Sequence, residues 1–190
     1  MIGENGTEEY TDEIITKKRE MEQQMQAMAV TDWAGIMMVC IHGQVENRIY
    51  GAIVNRCLEE PVSFCGLDQL VLKMDEICEL AGSPMLSMDP RFLQEKRKAD
   101  YLGIGKKRKK GRQKTAGWQN MFDILKQQAA LSREVFEVQI LFRSNATMQG
   151  RLRCSLSGKK YVSFRSALEL LRMLKEEELE FCGKRGKTIL

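Results

Sequence analysis

The chain has 190 residues, of which 43% are hydrophobic and 29% are charged, and this composition excludes wholesale disorder and predicts one medium domain or two small ones. No apolar run approaches the roughly 20 residues that a membrane-spanning helix needs, and the start of the chain is too acidic and polar for a signal peptide. A soluble, cytoplasmic protein without a membrane partner is therefore expected, and the formal net charge of +4 by itself indicates no class of partner.

Residues 1–30 are predicted to form an N-terminal amphipathic helix. Apolar side chains recur there at spacings of seven and four, at Ile14, Met21 and Met25. These spacings are typical of a short helical seam. The methionine-rich stripe either packs back on its own domain or offers an adaptable surface to a partner helix.

Residues 31–90 are predicted to form a first unit of three strands and one helix. Short apolar and alternating runs predict strands at 36–42, 49–55 and 61–64. The first of these runs is apolar on both faces, so it is expected to be a central strand. A helix is predicted over 66–82, because apolar side chains recur on one of its faces and Gly82 and Pro84 end it.

Residues 91–114 are predicted to be a basic linker of helix and loop. They hold eleven lysines and arginines against two acidic residues, a net charge of +9 that leaves −5 for the rest of the chain. Asp89 and Pro90 favour a short helix over 90–101, and the glycines and mutually repelling cations that follow predict a mobile loop. The candidate nucleic-acid-binding residues are Lys106, Lys107, Arg108, Lys109, Lys110, Arg112 and Lys114.

Three interpretations of these seven cations, here called the basic cluster, stay open. The first is a solubilising linker, which either separates two acidic units or folds back onto their surfaces. The second is a contact with a polyanion, because cations near nucleic-acid phosphates release condensed counterions. The third is a contact with a protein partner.

Residues 115–190 are predicted to form a linking helix and a second unit of three strands and one helix. The linking helix spans 115–131 and carries Trp118, whose ring either packs on the sheet or stacks on a nucleobase. The strands are predicted at 136–142, 148–156 and 161–164. Ser166 followed by Glu169 is a capping box, which begins the last helix over 166–180.

The two units are predicted to be copies of one another. Segment 36–74 aligns with 136–174 at an offset of 100, which slips to 99 where Gly51 matches Gly150, and Val-Ser-Phe is identical at 62–64 and 162–164. One unit of about 45 residues is too small to bury an adequate core. We therefore expect an α+β fold in which tandem β-β-β-α repeats form a pseudo-two-fold antiparallel sheet with helices on one face, plus flanking helices.

The motifs of the second unit are similar to those of small bacterial proteins that carry an FR.NAT.QG…FRSALELL pattern. The chain has FRSNATMQG at 142–150 and FRSALELL at 164–171, and its GAIVN and EEPVSF motifs look like the companion half of longer members. The resemblance covers 34–90 and 133–176 and leaves the basic cluster unmatched. It implies the architecture and a bacterial source, and it implies no catalytic residue because these proteins carry no established activity.

No constellation of residues in the sequence predicts catalysis or metal binding. His42 is the one imidazole of the chain and is predicted to face inward on its strand, opposite Phe142. The six cysteines have no CxxC spacing, so neither a metal nor a disulfide framework is expected, and no cofactor is expected either. Nucleophilic catalysis needs a base beside a serine or cysteine, so an enzyme is not expected.

The function predicted from the sequence is that of a non-enzymatic, nucleic-acid-associated protein. The basic cluster is expected to contact phosphates, which carry no sequence information, so binding is expected to be non-specific. The alternative is a protein-binding regulator, or an inhibitor of a nucleic-acid enzyme from a mobile element. Such an inhibitor would use acidic surface, because its target carries a basic groove.

Overall fold

The computed structural model describes residues 35–110, apart from 84 and 87, and residues 118–183. The predicted helix over 1–30 lies outside the described residues. The elements of the described part, in chain order, are β1 (Ile36–Val45), β2 (Arg48–Val54), β3 (Val62–Cys65), α1 (Leu67–Ala81), β4 (Met85–Leu86), α2 (Glu95–Lys110), α3 (Trp118–Leu131), β5 (Glu134–Ser144), β6 (Thr147–Arg153), β7 (Val162–Phe164) and α4 (Ala167–Gly183).

The strands form a single sheet, and the α+β prediction is confirmed. Six strands pair antiparallel in the order β3-β2-β1-β5-β6-β7, and the two-residue strand β4 pairs in parallel with the end of β5. Strands β1 and β5 lie in the centre, joined by a ladder that runs from Ile36 opposite Gln139 to Ile41 opposite Glu134. The prediction that the first strand is central is therefore confirmed.

The β1–β2 and β5–β6 hairpins close through two-residue turns. The turn residues are Glu46 and Asn47 in the first hairpin and Asn145 and Ala146 in the second, and all four have φ between 48° and 59°. Two consecutive residues with positive φ are the mark of a type I′ turn, whose twist matches that of the flanking strands. The strands therefore run further into the predicted loops than alternation alone indicates.

Each hairpin also contains a β-bulge, and the matching positions of the two bulges show that the predicted strand alignment is one residue out. The register shifts between Ile41 and Gly43 in one hairpin and between Ile140 and Phe142 in the other, so corresponding residues of β1 and β5 are 99 positions apart rather than 100. A shift of one residue moves side chains to the opposite face of a strand. The predicted alignment of His42 with Phe142 on an inward face is wrong, since Phe142 is 58% exposed and corresponds to Gly43; His42 itself is half-buried at the bulge.

The main core lies between one face of the sheet and the helices α1 and α4. Both helices contribute to the same buried cluster, in which Leu70 and Met74 come from α1 and Leu170 and Leu174 from α4, as their predicted apolar faces indicate. The sheet side of the cluster is formed by Met37, Val39, Ile41, Ile49, Ile53, Phe64, Phe136, Val138, Ile140, Met148, Leu152 and Phe164. The two helices therefore cover one face of the sheet.

Helix α3 packs against β1 and β2. Cys40 and Ala52 are fully buried there but do not belong to the main cluster, which places them on the face opposite α1 and α4. Burial there raises the pKa of the Cys40 thiol, and Ser132, which follows α3, partly offsets this. Among the helices of the described part, none is both long enough and apolar enough to cross a membrane.

Candidate nucleic-acid interface

Helix α2 carries the first part of the basic cluster. Its sequence, EKRKADYLGIGKKRKK, has eight lysines and arginines against two acidic residues. The segment from 102 to 110, expected to be a loop, is helical instead, so that Lys106–Lys110 form the last turns of α2. Arg112 and Lys114 lie outside the described residues.

The cations of α2 whose side chains are described remain free of carboxylates. Lys96, Arg97 and Lys106 are exposed, and among the described residues none of the three forms an ion pair. The expectation that acidic surfaces of the same chain neutralise this segment therefore has no support at Lys106. Within the described part of the chain, these charges of α2 are therefore not neutralised by carboxylates.

A buried arginine network holds α2 in place. Arg143 of β5 has a side chain that is 0% exposed, and its Nη2 donates hydrogen bonds to Glu79 Oε1 at 2.7 Å and to the Tyr101 hydroxyl at 2.6 Å. Its Nη1 donates to the carbonyl oxygen of Ser83 at 3.0 Å, and the Tyr101 hydroxyl donates in turn to Asp75. Strand β5, helix α1 and helix α2 therefore meet at one set of charged and polar groups.

The surroundings of Tyr101 and Arg143 keep both groups protonated. Burial and the hydrogen bond to Asp75 raise the pKa of Tyr101, so its hydroxyl stays protonated. Burial alone would lower the pKa of Arg143, but the neighbouring charges of Asp75 and Glu79 outweigh it and raise that pKa. The guanidinium therefore stays charged and paired at physiological pH.

Close packing between α1 and α2 also holds α2 in place. A Cβ atom on Gly105 of α2 would lie 3.1 Å from the carbonyl oxygen of Glu79 in α1, so the absence of a side chain there lets the two helices approach. The rings of Phe92 and Tyr101 are in contact, with 5.3 Å between their centroids. The basic end of α2 is thus presented from a fixed base.

Sequence reasoning missed the Arg143 network because it assigned this arginine to a polar loop. The available signal was its position next to Phe142 at the end of an alternating strand, where the bulge turns Arg143 toward the helices. A buried arginine requires carboxylate partners. Asp75 and Glu79, four residues apart on one helix face, are such partners.

The residues with nucleophilic or ligating chemistry do not assemble into a site in the described part of the chain. His42 contacts Tyr50 edge-on, with 6.4 Å between ring centroids. Burial raises the pKa of the Cys78 thiol to about 12, which leaves it unreactive. Among the described residues, no group of three or more His, Cys, Asp or Glu is arranged to hold a metal ion.

An open cleft of about 650 Å³ lies between the start of β2, the start of α1 and helix α4. Two of its cations are paired: Arg48 with Asp68 at 2.5 Å, and Lys175 with Glu178 at 2.5 Å. The hydrogen bond from Arg48 lowers the pKa of Asp68. The cleft therefore offers less free positive charge than α2.

Comparisons with known proteins add no further assignment. The chain matches no protein-family model, and no curated protein or solved structure is significantly similar to it. The resemblance to small bacterial proteins and the bacterial source that it implies stay predictions.

Proposed function

We propose that the protein associates with nucleic acid without sequence specificity, through the basic cluster, whose first five members belong to α2. The observation that carries the proposal is that Lys96, Arg97 and Lys106 are exposed, have no carboxylate partner among the described residues, and lie on a helix held by the buried Arg143 network. Such a helix presents its charges to a polyanion at little cost in conformational entropy. The proposed contacts are made by Lys106, Lys107, Arg108, Lys109, Lys110, Arg112 and Lys114.

Contacts of this kind have a measurable signature in salt. Each phosphate that a lysine or arginine neutralises releases counterions, so the affinity falls steeply with salt concentration. Seven contacts predict a loss of affinity of about 1,000-fold or more between about 50 and about 200 mM salt. Because phosphates are identical at every base pair, affinity should vary little among sequences of equal length.

Fluorescence anisotropy with a labelled duplex tests this proposal. Replacing all seven cations by glutamine should abolish binding at low salt, and the double variant Lys106→Gln/Lys107→Gln should make the slope of log affinity against log salt shallower by about 2. The matched control is Lys126→Gln/Arg172→Gln, which removes the same charge from exposed positions on α3 and α4. The proposal fails if the seven-glutamine protein binds as tightly as the natural chain.

We infer in addition that the two halves of the sheet are tandem copies related by a pseudo-two-fold axis. At the offset of 99, the pairing of Ile36 with Gln139 maps onto that of Cys40 with Val135, and the pair Met38–Glu137 maps onto itself. The matching bulges and type I′ turns of the two hairpins support the same relation. In this arrangement the basic cluster lies on the connection between the two copies.

Protein binding is the competing proposal for the same cluster. A regulator or enzyme inhibitor would be recovered with a stoichiometric protein partner from a nuclease-treated lysate of the native host. Nucleic acid alone would be recovered from an untreated lysate if the first proposal holds. The two pull-downs together therefore separate the candidate functions.

A further inference from the structure

The face of the sheet opposite α1 and α4 carries polar side chains over β5, β6 and β7. In this part of the ladder, Arg151 of β6 lies opposite Gln139 of β5, and Arg153 lies opposite Glu137. Tyr161 precedes β7 and extends across β6, because its hydroxyl donates a hydrogen bond to Glu137. Helix α3 packs on the other half of the sheet, on β1 and β2.

The two arginines are held against the ring of Tyr161. The guanidinium carbon of Arg151 lies 4.1 Å from the ring centroid, and that of Arg153 lies 5.0 Å from it. Arg151 Nε donates to Gln139 Oε1 at 2.6 Å, and Arg153 pairs with Glu137. These contacts hold both guanidinium groups beside the ring of Tyr161.

This cluster carries an excess of positive charge. Glu137 is its one carboxylate and pairs with Arg153, whereas Arg151 has no carboxylate partner among the described residues. The turn between β6 and β7 adds Lys159 and Lys160, both exposed. The β6–β7 surface is defined here by Arg151, Arg153, Lys159, Lys160 and Tyr161.

We propose that the β6–β7 surface binds single-stranded nucleic acid. Lys159 and Lys160 would contact phosphates, and an unpaired base would stack on the layer formed by Arg151 and Tyr161. The proposal rests on the proposed function, since it adds a second surface and a preferred strand type to the same nucleic-acid association. It is carried by residues far in sequence from the basic cluster.

The stacked geometry favours a single strand over other polyanions. In a duplex the faces of the bases are already stacked on one another. A duplex can therefore make phosphate contacts with this surface but cannot stack a base on Arg151 and Tyr161. An acidic protein would satisfy the lysines and arginines but would not need the ring of Tyr161. Dependence on an aromatic ring at position 161 is therefore the property that identifies the ligand.

Titrations of labelled oligouridylate, oligodeoxythymidylate and a duplex of equal length provide the test. Tyr161→Leu should weaken binding of both single strands about 10-fold and leave duplex binding unchanged. The matched control Tyr161→Phe keeps the ring and should change the affinity by less than about twofold. Arg151→Lys keeps the positive charge but removes the planar guanidinium group, so it should also weaken binding of the single strands.

The outcomes separate this inference from the proposed function. If Tyr161→Leu binds single strands as tightly as the natural chain, the inference is overturned, and loss of duplex binding in the seven-glutamine protein would still support the basic cluster. If the seven-glutamine protein keeps single-strand binding that depends on Tyr161, the inference stands and the proposed function fails. Equal competition by polyglutamate in the natural chain and in Tyr161→Leu would identify an acidic-protein surface and overturn the inference.

A second measurement uses the natural chain and does not depend on a variant that folds. Oligouridylate that contains 5-iodouridine is irradiated on the protein, and the crosslinked peptide is identified by mass spectrometry. A crosslink at Tyr161 supports base stacking at this surface. Crosslinks confined to the peptides of α2 overturn it.

Discussion

At the scale of single residues, Arg143 is the side chain on which the position of α2 depends. Its guanidinium contacts Asp75 and Glu79 of α1 and Tyr101 of α2, and it is fully buried on β5. A buried charge is tolerated where hydrogen-bonded partners of opposite charge surround it, and removal of one partner leaves the others uncompensated. The network therefore supports both the fold and the base of the basic cluster.

Arg143→Met should lower the free energy of unfolding by about 3 kcal/mol, because Asp75 and Glu79 lose the charge that compensates them. Urea denaturation followed by circular dichroism measures the loss. The control is Arg165→Met at a side chain that is 89% exposed, where a change below about 0.5 kcal/mol is expected. Equal stability of the two variants would contradict the role of the network.

Gly51 and Gly150 occupy corresponding sites in the two hairpins, and each is required by a close backbone approach. A Cβ atom would overlap the carbonyl oxygen of Cys40 at the first site and that of Gln139 at the second. Gly51→Ala and Gly150→Ala should each cost about 2 to 3 kcal/mol, because the strands must separate. Thermal unfolding compares them with Gly103→Ala, where no atom lies within 4 Å of the added Cβ and the backbone does not have a positive φ. A Gly150→Ala loss no larger than that control would refute the clash.

At the scale of elements, alternation and capping in the sequence predicted the order of strands and helices but not their register. The hairpins at β1–β2 and β5–β6 follow from two-residue periodicity, and the start of α4 follows from the capping box, in which Glu169 N donates to Ser166 Oγ. The β-bulges at Ile41 and Ile140 leave no clear signal in composition. The predicted offset of 100 is therefore one residue out for β1 against β5, and an error of one residue exchanges the two faces of a strand.

The extent of α2 was missed for a related reason. Gly103, Gly105 and the run of cations all disfavour a helix locally. Tertiary packing overrides this preference, because α2 lies against α1 and Tyr101 joins the Arg143 network. The location of the basic cluster could be predicted from charge alone, but its helical presentation required contacts between residues distant in sequence.

The two glycines of α2 have opposite roles, and a matched pair of variants separates them. Gly103→Leu adds a side chain where no atom lies within 4 Å of the new Cβ, so helix propensity should stabilise the protein by about 0.5 to 1 kcal/mol. Gly105→Leu adds the same side chain at a site where the new Cβ would lie 3.1 Å from the Glu79 carbonyl oxygen. This variant should therefore destabilise the protein. Differential scanning calorimetry shows whether each variant raises or lowers the stability of the protein. A stabilising effect of Gly105→Leu would exclude close packing of α2 on α1.

At the scale of the whole molecule, the basic segment and the rest of the chain carry opposite net charges. Residues 91–114 carry +9 and the rest of the chain carries −5, yet the exposed cations of α2 that the structure describes form no ion pairs within the described chain. The buried network is paired internally, whereas Lys96, Arg97 and Lys106 face solvent. Stability and proposed binding therefore rest on different charges, and salt should weaken binding far more than folding.

Alkaline pH should destabilise the whole fold through two buried groups, Cys78 and Tyr101. Burial raises the pKa of Cys78 from 9.0 to about 12, and burial and the hydrogen bond to Asp75 raise the pKa of Tyr101 above 10.0. As pH rises, the unfolded chain releases these protons first, so the stability that they contribute is fully present below about pH 9 and is lost above it.

Urea denaturation at about pH 8 and about pH 10.5 should show this decline in the free energy of unfolding. Tyr101→Phe and Cys78→Ala should each make the decline shallower, because each variant removes one of the protons that the unfolded chain releases. Both variants start from a less stable protein. A decline that is as steep in the two variants as in the natural chain would assign the alkaline effect to other groups.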